Sequence, residues 1–127
     1  MSVQEAIAIL SNPRCEIHWD DCWEFSREVR IDAAEQALLV AALRQPSEEA
    51  RLFALAVLRD NEIDWLPLKH DLARLVLDKD FAVQESAVGI AIRRLPREEA
   101  REVLRPALRN FRQEFWVWCR MAFFFLT

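Results

Sequence analysis

Glycine is almost missing from this chain: its 127 residues include one, Gly89, and no tyrosine. Folds built on tight β-turns need glycine wherever φ must be positive, and strands favour β-branched and aromatic side chains. Alanine, leucine, glutamate and arginine dominate instead, all good helix formers. A single glycine also excludes a phosphate-cradling glycine-rich loop. The three cysteines, Cys15, Cys22 and Cys119, are scattered and odd in number, which argues against a disulfide framework and for a reducing, cytoplasmic setting. Residues 1–12 lack the basic start and long apolar run of a secretory signal. The run Phe115–Leu126 is very apolar but carries Arg120 and is shorter than the ~20 residues a membrane span needs. An overall basic field is lacking too, since the formal net charge is −4. What is present is apolar material: 53% of the residues, enough to bury a core within one domain, 1–127.

The apolar residues recur with a period near 33. Ala50, Val83 and Val117 anchor three similar segments, with Arg51, Gln84 and Trp118 following them. A second series, Leu43, Leu77 and Leu108, runs between the anchors, so each period holds two helices. Asn12-Pro13 and Gln45-Pro46 repeat at the same interval and place proline at helix starts, where its missing N–H costs nothing. That extends the array to an anchor near Ile17, although Asp21 stands where other units have an apolar residue. Punctuation agrees: Asp32, Ser47 or Gln45, and Asp80 suit N-caps, Asp60-Asn61 and Asn110 suit ends, and Pro67 and Pro96 suit openings. The pattern predicts eight helices, roughly 2–11, 14–28, 33–45, 46–59, 65–78, 81–94, 96–110 and 112–126, with Pro106 able to kink the seventh.

One amphipathic hairpin cannot hide its own apolar face, whereas stacked hairpins bury a shared core. The motif Asp/Asn-x-x-Val/Ala-Arg/Gln-x-x-Ala, followed by a leucine-rich helix, resembles HEAT and HEAT-like repeats from about Asn12 onward. The resemblance implies an all-α fold: a right-handed α-α superhelix of about seven to eight short helices stacked as HEAT-like hairpins. The other architecture open to such a sequence is an irregular helical bundle.

Chemistry finds little footing. Cys15, His18 and Cys22 share a helical face near Asp20 and Asp21, but a structural zinc site needs a fourth ligand that no second motif supplies. The surrounding acids would raise a thiol pKa and so oppose thiolate catalysis. Neither catalytic residues, metal nor cofactor are expected, and no membrane partner.

Three surfaces are candidates for binding. Residues 16–35 carry seven acids against two arginines, and Glu16, Trp19, Asp20, Asp21, Trp23, Glu24 and Glu28 combine acids with aromatic anchors suited to a basic protein partner. Arg97, Arg101, Arg105 and Arg109, spaced by four, form a row that could hold phosphates, or a solvated face in which Glu98 reaches Arg101 and Glu102 reaches Arg105. The last predicted helix has almost no polar side. Trp116, Trp118 and Phe124 are its candidate oligomer contacts, in a homodimer for example, the alternative being burial within the fold.

These features favour a non-catalytic protein-binding module, in its most concrete form a small bacterial immunity or antitoxin-type protein that neutralises a basic toxin. The resemblance leaves two alternatives: nucleic-acid binding through the arginine row, as HEAT-like DNA glycosylases use basic faces, and a cofactor-handling, lyase-like HEAT protein.

Overall fold

The structure, a computed structural model, describes residues 2–14, 29–109 and 115–127. Among them the chain is all-α: α1 (Val3–Leu10), α2 (Ala33–Ala42), α3 (Glu48–Asp60), a 3-10 turn (Leu66–Leu68), α4 (Lys69–Leu75), α5 (Phe81–Arg94), α6 (Arg97–Leu108) and α7 (Phe115–Leu126), with no strand. The helix expected over 14–28 lies almost wholly outside the described residues. The chain divides into two compact units, Met1–Ile63 and Asp64–Thr127.

In the first unit, α3 is the central element. Ala50, Phe53 and the run Ala54–Leu58 are all buried, so this helix hides nearly its whole circumference against α1 and α2. Short polar side chains start the helices. Asp32 accepts from Glu35 N at 2.8 Å while the Glu35 carboxylate accepts from Asp32 N at 3.2 Å, a reciprocal cap. The Ser47 hydroxyl accepts from Ala50 N and donates to the Leu10 carbonyl, tying the end of α1 to the start of α3. Pro46 therefore precedes the cap rather than opening the helix. The α2 helix also stops three residues short of expectation: the N–H groups of Leu43, Arg44 and Gln45 reach back three residues, to Val40, Ala41 and Ala42, and tighten the last turn. At the far end of α3, Glu62 takes a left-handed φ of 53°. Glycine is the usual occupant of that position, and this chain has none to spare there.

In the second unit, α4, α5 and α6 pack on one another, and α7 packs on α5 and α6. The buried side chains include Trp65, Leu72, Leu75, Val88, Ile90, Leu104, Val117 and Met121. The fifth predicted helix is shorter than expected. It opens as a 3-10 turn at Pro67 and ends at Leu75, so Val76 takes the buried place and Leu77 is exposed. Pro106 sits inside α6, which continues to Leu108.

The three repeat anchors, Ala50, Val83 and Val117, are all buried. The residue after each does the same job in a different chemical form. The Arg51 guanidinium donates to the carbonyls of Gln45 and Pro46, each at 2.8 Å. The Gln84 amide donates to the Asp78 carbonyl. The Trp118 indole donates to the Leu108 carbonyl at 2.8 Å. Each side chain thus satisfies backbone oxygen at or beyond the end of the preceding helix, where carbonyls lack intrahelical partners.

Gly89, in the middle of α5, has a matching cause. A Cβ built there would lie 3.3 Å from one nitrogen of the Arg120 guanidinium on α7. The obstacle is the far end of a flexible side chain, so Gly89→Ala is expected to shift Arg120 slightly while removing a helix-interior glycine that costs about 1 kcal/mol. The expected result is neutral to stabilising, by up to about 1 kcal/mol in urea unfolding; clear destabilisation would mean that Arg120 is fixed in place.

Candidate functional site

The acidic candidates Glu16, Trp19, Asp20, Asp21, Trp23, Glu24 and Glu28, together with Cys15, His18 and Cys22, lie outside the described residues. The described candidate surfaces are on α6 and α7, both in the second unit.

On α6, Ala100, Val103, Leu104 and Ala107 form the buried side. Arg97, Arg105 and Arg109 are exposed, and Arg101 is half-buried with its Nε enclosed and without a hydrogen-bond partner among the described residues. The local Glu–Arg pairs expected from spacing do not form. Glu102 and Glu99 instead reach across to Lys69 on α4, at 2.8 and 3.1 Å. Hydrogen bonds from Lys69 lower the Glu102 pKa below its ordinary value, and those to Glu102 and then Glu99 raise that of Lys69. The depressed Glu102 contributes stability above the ordinary glutamate range, lost as pH falls through its folded pKa; the raised Lys69 contributes below the ordinary lysine range, lost as pH rises through its folded value. Lys69→Met is therefore expected to flatten the thermal-stability profile at both the acid and alkaline ends, with a small effect between them because Glu102 is exposed and Lys69 and Glu99 are only half-buried. An unchanged profile would remove the ion pairs from the account.

Arg97 begins the row and differs from the rest, because its guanidinium lies over the Phe124 ring, 5.6 Å from the centroid. This contact joins the start of α6 to the last turns of α7.

On α7, Val117 and Met121 point inward and are buried. The opposite side is exposed: Phe115 at 67%, Trp116 at 77%, Phe123 at 69% and Leu126 at 86%. Phe115 and Trp116 meet edge to face, with ring centroids 5.8 Å apart. The three oligomer candidates therefore divide. Trp116 faces outward, Trp118 is tied to the end of α6, and Phe124 is half-buried under Arg97. Sequence reasoning did not single out Phe115, Phe123 or Leu126 as the outward side. No charged residue marks that side in a helix whose one charged side chain, Arg120, lies near Gly89, and only the inward packing of Val117 and Met121 identifies it.

Among the described residues, no helix is long and apolar enough to cross a membrane. No protein-family model, curated protein or solved structure matches this chain.

Proposed function

We propose that the chain is a non-catalytic protein-binding module, built from HEAT-like helical hairpins and docking through α7. The observation that carries the reading is the outward side of α7, where four large apolar side chains are exposed. Contiguous exposed apolar patches of this kind mark contact sites. The shared task of Arg51, Gln84 and Trp118 supports the repeat reading, and the HEAT-like superhelix is part of the proposal.

An immunity or antitoxin-type role fits the same chain. Its acidic residues 16–35 suit a basic toxin. The test is capture of partner proteins by the immobilised chain, comparing the natural sequence with Phe123→Glu and with a triple reversal of Asp20, Asp21 and Glu24 to lysine. A partner held by the natural chain and released by Phe123→Glu is the expected result. Loss on the triple reversal assigns partner binding to the acidic stretch as well. A partner retained by Phe123→Glu sinks α7 as the docking element.

One observation favours a second reading, nucleic-acid binding by the arginine row: Lys69 draws Glu99 and Glu102 away from α6, which leaves Arg105 and Arg109 exposed without an ion pair among the described residues. Fluorescence anisotropy with a labelled duplex at two salt concentrations separates the readings, because phosphate contact falls steeply with salt.

A further inference from the structure

The outward side of α7 has an order as well as a composition. Phe115, Cys119, Ala122 and Leu126 follow one another at steps of four, three and four residues. At about 100° per residue these positions form one stripe along the helix. Its middle pair is small and half-buried, and its end pair is large and exposed. The order large, small, small, large reads the same from either end, and its midpoint falls between Arg120 and Met121. Trp118 and Phe123, which flank the stripe, are symmetric about the same midpoint.

A stripe with this symmetry complements itself when two copies run antiparallel. The two-fold axis then passes through the midpoint, each Phe115 meets the other copy's Leu126, and each Cys119 meets the other copy's Ala122. Such an interface is isologous, the commonest kind in homodimers. The small central pair lets the helix axes approach to about 8 Å, the close end of the usual range.

We propose that α7 pairs antiparallel with α7 of a second copy of this chain, through the Phe115–Cys119–Ala122–Leu126 stripe. The proposal rests on the reading of α7 as a docking element and names its occupant. Area supports a second copy. At about 200 Å² for a large side chain, the exposed parts of Phe115, Trp116, Phe123 and Leu126 amount to roughly 600 Å² per copy. Two copies together would bury at most about 1,200 Å² if all of it were covered, the lower bound for a stable specific interface. No charged side chain lies within the stripe itself, so self-pairing carries no like-charge penalty at its centre.

The geometry supplies its own probe. Three residues along a helix separate the two Cys119 positions, an axial offset of about 4.5 Å. With axes about 8 Å apart and Cα atoms about 2.3 Å from each axis, the two Cα atoms come to about 6 Å. A disulfide spans roughly 4.4–6.8 Å.

The experiment uses the full chain. Light scattering in reductant is expected to give twice the 14.9 kDa chain mass. Phe123→Glu, at an exposed position that leaves the core intact, is expected to raise the dimer dissociation constant about 100-fold by placing a charge against the partner, with helical circular dichroism unchanged. A chain with Cys15→Ser and Cys22→Ser retains Cys119 alone, and diamide, which takes up the two electrons and two protons released by the thiols, is expected to cross-link it. Adding Phe123→Glu should abolish that cross-link. A monomer at high concentration overturns self-pairing while leaving α7 open to a different protein. A dimer that Phe123→Glu leaves undisturbed, or a dimer in which Cys119 does not cross-link, overturns the α7 pairing. Either result leaves α7 free to dock a different protein, which the capture experiment with Phe123→Glu tests separately.

Discussion

Replacing Trp65 by alanine is expected to destabilise the chain by about 3–5 kcal/mol, a large part of the ~5–15 kcal/mol that holds a typical domain folded. Among the described residues, Trp65 is the largest side chain buried to within 1% of full enclosure, and alanine would leave most of its volume empty. Its indole N–H is enclosed without a hydrogen-bond partner among the described residues, so part of its burial already works against stability. Phenylalanine removes that orphan donor and keeps one aromatic ring. Trp65→Phe should therefore cost far less than Trp65→Ala, about 1 kcal/mol. Urea unfolding measures both, and hydrogen exchange should show the loss of protection concentrated in residues 64–127, the unit that contains Trp65. Equal losses for the two variants would mean that the N–H has a partner after all.

The second large effect is expected at Arg51. Its side chain is buried, and one guanidinium nitrogen donates to two carbonyls that close the turn between α2 and α3. Hydrogen bonds from a charged donor are each worth more than neutral ones. Arg51→Met keeps the apolar stem and removes the donor, and is expected to cost about 2–3 kcal/mol. Gln84→Met removes a single neutral hydrogen bond to Asp78 and should cost about 1 kcal/mol. The order of the two losses in urea unfolding is the decisive measurement. If Gln84→Met cost as much as Arg51→Met, the charge on Arg51 would have no part in closing its turn.

The all-helical class and most helix starts were legible because their signals are local. Asp32, Ser47 and Asp80 each precede a periodic run and each cap it through their own side-chain oxygen. Helix ends were less legible. Nothing about Leu43 or Leu77 as residue types announces that α2 tightens after Ala42, or that α4 yields to a turn whose Asp78 carbonyl serves Gln84. Repeat spacing located the anchors Ala50, Val83 and Val117, but not the common task of the residues beside them. Arginine, glutamine and tryptophan share no class in a comparison by residue type; they share an N–H at the right reach. The arginine row was legible as a row, whereas the fate of its acids was not, because Lys69 lies 33 residues from Glu102 and meets it only through packing.

Those three side-chain-to-carbonyl bonds bear on how the chain folds in time. Arg51 reaches back six residues to Gln45, Gln84 six to Asp78, and Trp118 ten to Leu108. Loops of that length close in about 10–100 ns, and their entropic cost is small. Each turn can be locked by the first turn of the helix that follows it, before distant partners have met. A fold assembled from such local closures belongs to the low contact-order, fast-folding end of the range. The steps left for later are the ones that need non-neighbours, such as Lys69 meeting Glu99 and Glu102, or Arg120 settling against Gly89.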